Sequence, residues 1–315
     1  PQHLRTHALV AAAWHGLDAR DVWDVHCHVI GNGDSGRGIW INPAMERIWQ
    51  PAQYIQRIFY MNAGCAHDSP GRVDESVVDR LLNQCEAMAP GFRTLLLAFD
   101  WARDETGAPV RERSTFYVPD AYAADLAAQH PAVFEWAASV HPYAPDALDR
   151  LDAAKARGAR AVKWLPSAQG MDPASERCDR FYEKLKYLAL PLISHAGDER
   201  AVRGFGEHLG NPLLLRRPLD AGVRVVVAHC ASLGMGRDLD RPDAPLVDNF
   251  ALFARLMDEP RYRANLRGDI SAVTQGNRMD VIDALLARRD WHARLLNGSD
   301  YPLPGVLPVI SLPGL

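Results

Sequence analysis

Eight short apolar runs recur along this chain, at about positions 22–30, 94–99, 133–140, 160–165, 191–195, 224–229, 262–270 and 294–300. Several are continuous rather than alternating, the pattern of strands covered on both faces. Helix-like segments separate most of them, at 74–88, 120–129, 145–157, 173–187, 212–221, 246–257 and 278–289. The segment 145–157 is punctuated plainly, with Pro145 at its start and Gly158 just past its end. Strand alternating with helix calls for a parallel sheet, either closed into a (β/α)8 TIM barrel or open and doubly wound. An open sheet gathers its functional residues at one crossover. Here polar residues end run after run, which favours the barrel.

The first run, Val22-Trp23-Asp24-Val25-His26-Cys27-His28-Val29-Ile30, differs from the others in alternating apolar and polar residues. Successive side chains on a strand point to opposite faces, so Asp24, His26 and His28 are expected on one face. Neutral imidazole is the commonest transition-metal ligand, and two on a stiff strand can reach one ion. Taken alone, the pair fits two ligands or two histidines on a partly wet strand. The later strands decide between these. In parallel barrels the functional site lies at the C-terminal ends of the strands. His26 and His28 stand near the end of the first, Lys163 on the fourth, His195 at the end of the fifth, His229 at the end of the sixth and Asp300 at the end of the eighth. Each alone is an ordinary strand end. Together they place six polar groups around one mouth.

These segments resemble the amidohydrolase superfamily, specifically its amidohydrolase-related branch of metal-dependent hydrolases and decarboxylases. The likeness rests on Asp24-Val25-His26-Cys27-His28, Val162-Lys163-Trp164-Leu165-Pro166, Ser194-His195-Ala196-Gly197, Ala228-His229-Cys230 and Asn297-Gly298-Ser299-Asp300-Tyr301-Pro302, and spans residues 22–302. It implies that His26 and His28 bind a first metal, joined by His195 and Asp300. It implies that His229 binds a second metal or hydrogen-bonds the substrate. Lys163 matches the position of a carbamylated lysine that bridges two metals in binuclear members. A protonated amine is a poor zinc ligand, so Lys163 ligates only if carbamylated or deprotonated. Otherwise it is a cation that orients a substrate carboxylate. Zinc is the default for a histidine-rich site, as one or two ions, with manganese or iron as alternatives.

Nitrogen and oxygen ligands of this number leave a position open for water, whose pKa a divalent ion lowers from 15.7 to about 7. The expected catalytic set is Asp300, His229 and Lys163, with Asp300 taking and returning a proton. The chemistry expected first is hydrolysis of an amide, ester or lactone of a small molecule. The alternative is non-oxidative decarboxylation of an aromatic or unsaturated acid. A non-catalytic binding module would have no need of all six groups.

Net charge is −4, so no basic field attracts nucleic acid or an anionic membrane, and no apolar run approaches the ~20 residues of a membrane span. Five cysteines (Cys27, Cys65, Cys85, Cys178 and Cys230), widely spaced and without a C-x-x-C, fit free thiols in the cytoplasm. Cys27 and Cys230 are expected as small core residues. The partner expected is a small-molecule substrate, and homo-oligomerisation is left open.

The rest of the chain carries weaker signals. The chain is expected to be one domain, 1–315. Segment 31–71 is too long for a plain connection and reads as a lid or substrate-shaping insertion, helical over 44–60. Its glycine-rich part, 31–38, reads as a flexible loop, because its spacing is not that of a phosphate cradle. Trp40, Trp49, Tyr54, Tyr60, Trp164 and Tyr301 are candidate pocket aromatics. Arg37 and Arg267 are candidate carboxylate partners, more simply read as surface charges. Asp24 is expected to orient a ligand, and Asp198 and Glu199 to start a helix. After Asp300 the segment 301–315 shows no eighth helix, so the closing helix is expected to be cut short or absent.

Overall fold

A computed structural model of the chain describes residues 6–64, 66, 70–199, 201–202 and 204–303. Eight parallel strands follow one another around a ring: β1 (Trp23–His28), β2 (Arg93–Leu97), β3 (Phe134–Ala138), β4 (Ala161–Trp164), β5 (Leu192–His195), β6 (Val225–Ala228), β7 (Leu266–Asp269) and β8 (Leu295–Leu296). The two ends of this order meet through backbone hydrogen bonds. Val25 N donates to Asn297 O at 3.0 Å, Asp300 N to His26 O at 2.8 Å and His28 N to Tyr301 O at 2.9 Å. The fold is the expected TIM barrel.

The strands read as continuous apolar runs because both faces are covered. Inside the ring, Leu95, Leu97, Ala137, Ala161, Ile193 and Val226 form a plug, with Val25 and Leu296 packed on it. Outside, Leu96, Trp136, Val162, Trp164, Leu192 and Val227 pack in the layer shared with the helices. Parity then determines which polar residues enter the barrel. Lys163 follows Ala161 and His195 follows Ile193 on the inward face, above the plug.

Several helices are shorter than their patterns. Pro51 lacks an N–H and disfavours helix in the residue before it, so 44–60 splits into a 3-10 turn, Pro43–Glu46, and a helix, Pro51–Ala63. Segment 246–257 begins as a strand, Leu246–Asp248, and Asp248 then caps a helix, Asn249–Asp258, by accepting from Ala251 N at 3.2 Å. Segment 278–289 is helical only over Ile282–Ala287, after a 3-10 turn at Met279–Val281. No described helix is long and apolar enough to cross a membrane. Cys27, Cys85, Cys178 and Cys230 are free thiols, and Cys27 and Cys230 are buried. Cys65 and most of segment 301–315, with any closing helix, lie outside the described residues.

The glycine-rich segment after β1 is held in place rather than loose. Asp74, fully buried at the start of the helix Val73–Glu86, accepts from Asn32 N, Gly33 N and Ser35 N and from Ser35 Oγ at 2.6 Å. Asp34 returns the contact by accepting from Val73 N at 2.7 Å and Asp74 N at 3.1 Å.

A second buried polar cluster ties the ends of β2 and β3 together. Asp100, 1% exposed, accepts from Arg150 Nη1 at 2.7 Å and from His141 N at 3.0 Å. Arg150 also reaches Asp120 at 3.1 Å and Ser139 O at 3.0 Å. Replacing Arg150 by Met leaves Asp100 a buried charge without its nearest cation. With Arg103 Nη2 still 3.6 Å from Asp100 Oδ1, stability is expected to fall by about 1.5–3 kcal/mol, the range for hydrogen bonds to a charged group. Urea unfolding of the variant checks this, and a loss below about 1 kcal/mol would show the pair to be dispensable.

Candidate metal centre

His26, His28, Lys163, His195, His229 and Asp300 all line one cavity of about 260 Å³, at the C-terminal ends of the strands. How β1 delivers two of them differs from simple alternation. Asp24 pairs with Thr94 and Cys27 with Leu96, so two residues of β1 oppose one of β2. This bulge turns both Val25 and His26 inward and leaves Cys27 outside. His26 and His28 therefore face the cavity without Asp24. Asp24 instead accepts from His26 N at 3.1 Å, Ser299 N at 2.8 Å and Ser299 Oγ at 2.5 Å. It clamps the backbones of β1 and of the segment carrying Asp300, and touches no imidazole.

The tightest group is His26, His28 and Asp300. His26 Nε2 and His28 Nε2 are 3.3 Å apart, and Asp300 Oδ1 lies 3.7 Å from the first and 3.4 Å from the second. Ligands at ~2.1 Å from a tetrahedral ion lie ~3.4 Å from one another, so the spacing matches one shared ion. The protonation pattern agrees. His26 Nδ1 is 2.9 Å from Asp269 Oδ2, a contact that places the ring proton on Nδ1 and leaves Nε2 a bare lone pair. Burial holds His26, His195 and His229 well below the usual histidine pKa, with Lys163 adding to the effect at His26 and His195 and Arg278 at His229. The donor set thus suits a borderline divalent cation.

Lys163 Nζ is 3.3 Å from His26 Nε2, and burial pushes its pKa down to about 8. His195 and His229 stand beside the group rather than within it. The His229 ring stacks on His26 at 4.7 Å and meets His195 at 5.2 Å. His195 Nε2 approaches Asp198 O at 3.4 Å, while its Nδ1 is 3.5 Å from Glu199 Oε2. His26, His229 and Asp269 form a second close-set trio. The Asp269 oxygens there are already taken, however. Oδ2 holds His26, and Oδ1 accepts from His229 N at 3.0 Å, Ser271 N at 3.1 Å and Ser271 Oγ. That trio orients His26 and His229. The backbone at the site is strained to match, with His229 at φ 54° and Asp300 at φ 59°, a region non-glycine residues rarely adopt.

Asp269 is absent from the sequence-derived set, although a lone carboxylate at the end of an apolar run is the signal that marks Asp300. Glu199 is a correction. It starts no helix among the described residues but lines the cavity, where burial raises its carboxyl to about 7. The aromatic candidates also need revision. Tyr60 lines the cavity, but Trp49 is 73% exposed and Trp164 and Tyr301 are buried in the core outside the ring. Trp40 packs at a tilt against Trp101, ring centroids 4.9 Å apart, and Tyr54 is not on the cavity wall. The wall is instead largely aliphatic, from Ile30, Ile39, Ile41, Met45, Leu165 and Leu233, with Phe59, Phe99 and Phe116. Much of it comes from the insertion after β1. Arg37 pairs with Asp125 at 3.5 Å and Arg267 with backbone carbonyls of 263, 264 and 266, so neither reaches the cavity.

The family model described as amidohydrolase matches residues 23–307. No curated protein matches the chain. Among solved structures, an uncharacterised TIM-barrel protein from Bordetella bronchiseptica is similar with a TM-score of 0.55 at 15% identity, over 90% of this chain and 85% of its own. The 5-carboxyvanillate decarboxylase from Novosphingobium aromaticivorans, complexed with manganese and 4-hydroxy-3-methoxy-5-nitrobenzoic acid, has a TM-score of 0.51 at 14% identity, over 91% and 88%. At such identities the likeness is one of fold.

Proposed function

Because the chain belongs to the amidohydrolase family, we propose that it is a metal-dependent hydrolase of an amide, ester or lactone bond in a small, largely apolar molecule. The observation that carries this is the meeting of a carboxylate with two imidazole nitrogens, Asp300 Oδ1 at 3.4 Å from His28 Nε2 and 3.7 Å from His26 Nε2. His26, His28 and Asp300 would hold the ion, zinc by default, with His195 close by. A divalent cation supplies Lewis acidity toward a carbonyl and makes water acidic. Asp300 accepts the proton of the attacking water at its carboxylate and returns it to the leaving group. Asp269 keeps His26 in one tautomer. His229, held through Nδ1 by Ser271, offers Nε2 to the substrate or to a second ion. Ile39, Ile41, Met45, Phe59 and Tyr60 of the insertion after β1 shape the substrate pocket.

Lys163 has two roles open to it in this scheme. With its pKa lowered toward 8 it is available for carbamylation and metal bridging. Uncarbamylated, it is a cation beside the site. Intact-protein mass spectrometry separates the two, since carbamylation adds the mass of one carbon dioxide, lost on Lys163→Met.

Two observations favour a second reading. The cavity wall is apolar on most sides, as a flat aromatic acid would require, and the manganese-bound relative in fold is a decarboxylase. Metal analysis per chain, run beside a panel of lactones, esters, amides and aromatic acids, tests both. Metal-dependent hydrolysis is the expected result. Carbon dioxide release from an aromatic acid, with no hydrolysis across the panel, would overturn it in favour of decarboxylation.

A further inference from the structure

The turn after β7 carries polar groups that the proposed chemistry does not use. Gln275 and Arg278 both line the cavity and are 5% and 7% exposed. Their relative position is set by backbone hydrogen bonds, Gln275 N to Ala272 O at 2.9 Å and Arg278 N to Gln275 O at 2.8 Å. Gln275 Nε2 is buried with no hydrogen-bond partner among the described residues. A buried amide donor without an acceptor is uncommon in a native structure and points to a missing partner. Among the described residues the Arg278 side chain makes one weak hydrogen bond, Nη1 to Ser232 Oγ at 3.4 Å. Glu199, Asp300, Asp269 and Asp198 act on it only through space. Nor does Arg57 Nε, on another part of the same wall, have a partner among the described residues. These three groups are donors in search of an acceptor, and two are cationic.

We infer that Arg278 and Gln275 form a recognition site for a carboxylate of the substrate. The inference deepens the proposed function and rests on it only for the name of the reaction. A planar guanidinium matches a two-oxygen acceptor with parallel hydrogen bonds, and Gln275 Nε2 adds a third donor. The substrate class is then an apolar monocarboxylic acid derivative. Its carboxylate sits at the turn after β7, its body lies on the aliphatic wall, and its reacting carbonyl faces His26, His28 and Asp300. Arg278 and Gln275 are positioning and specificity-determining residues, not catalytic ones.

Binding of phenylacetate and of phenylacetamide to the metal-loaded protein, measured by calorimetry, tests this without any turnover. Wild type is expected to bind the carboxylate about 10- to 100-fold more tightly than the amide, the range for hydrogen bonds to a charged group. Arg278→Met should erase that preference, and Arg278→Lys should restore only part of it. Gln275→Leu removes a donor that has no partner among the described residues, so it should fold as well as wild type yet bind phenylacetate more weakly. Equal binding of acid and amide by wild type would overturn the inference. So would a preference that survives Arg278→Met, which would place the carboxylate on the metal. Inorganic phosphate displacing phenylacetate at lower concentration than phenylacetate itself binds would overturn it in favour of a phosphate site. None of these outcomes depends on whether the enzyme proves to be a hydrolase.

Discussion

Replacing His26 by Ala is expected to strip the chain of its divalent ion and its activity together. His26 is the one residue common to both close-set groups of potential ligands. Its Nε2 faces His28, Asp300 and Lys163, and its Nδ1 is tied to Asp269. Even a partner behind a ligand is worth 10–100-fold in metal affinity, so loss of the central imidazole should cost more than about 100-fold. The fold should suffer as well. His26 is fully buried, and its removal leaves Asp269 facing a cavity without its ring partner. Losing one hydrogen bond to a buried carboxylate costs about 1.5–3 kcal/mol. Elemental analysis of dialysed protein and urea unfolding read the two effects separately. A His26→Ala protein with a full metal complement would refute the proposed centre. Asp269→Asn gives a graded check, with metal affinity down by about 10- to 100-fold and His26 still in place.

Asp300→Asn is expected to lower kcat by about 10²–10⁴ while most of the metal stays bound. The amide keeps one oxygen for ligation but cannot take up a proton at neutral pH. The backbone should survive the change, because its position rests on main-chain contacts. Asp300 N donates to His26 O, and Asp24 holds the adjacent Ser299 through both N and Oγ. The expected signature is therefore a fall in kcat larger than any rise in KM, at near-normal metal content and stability. Full turnover by Asp300→Asn would remove it from the proton-transfer role and leave it at most a ligand.

Much of the architecture could be read in advance because it depends on local pattern. A strand covered on both faces must be apolar along its length, and a helix that stops at a glycine announces its end. The ligand-type residues were equally visible, since a histidine or aspartate closing an apolar run interrupts the pattern. Asp269 shows how the same signal can be passed over. It ends β7 much as Asp300 follows β8. The facing of Asp24 was beyond reach for a different reason. Strict alternation puts it with His26 and His28, and only pairing with a neighbouring strand reveals the bulge that turns it away.

The cavity wall and the turn after β7 were the least legible parts. Side chains from the insertion after β1, from 99–118 and from 275–278 meet only across the barrel mouth, at sequence separations no periodicity connects. Arg278 reads in the sequence as one more charge at a helix start. Its burial, with no carboxylate in salt-bridge reach among the described residues, is a property of the assembled mouth.

By itself the sequence determined the eight-fold alternation, the ring that alternation implies, and which residue types stand at the strand ends. Those follow from short-range rules: side-chain parity, the need to cover both faces of a parallel strand, and the breaking of helices by proline and glycine. Tertiary structure alone decided which of those side chains share an ion-sized space, which one holds another in its tautomer, and which donors gather on the cavity wall. Distances of a few ångströms between residues hundreds of positions apart are set by how the ring closes, and closure is a property of the whole chain.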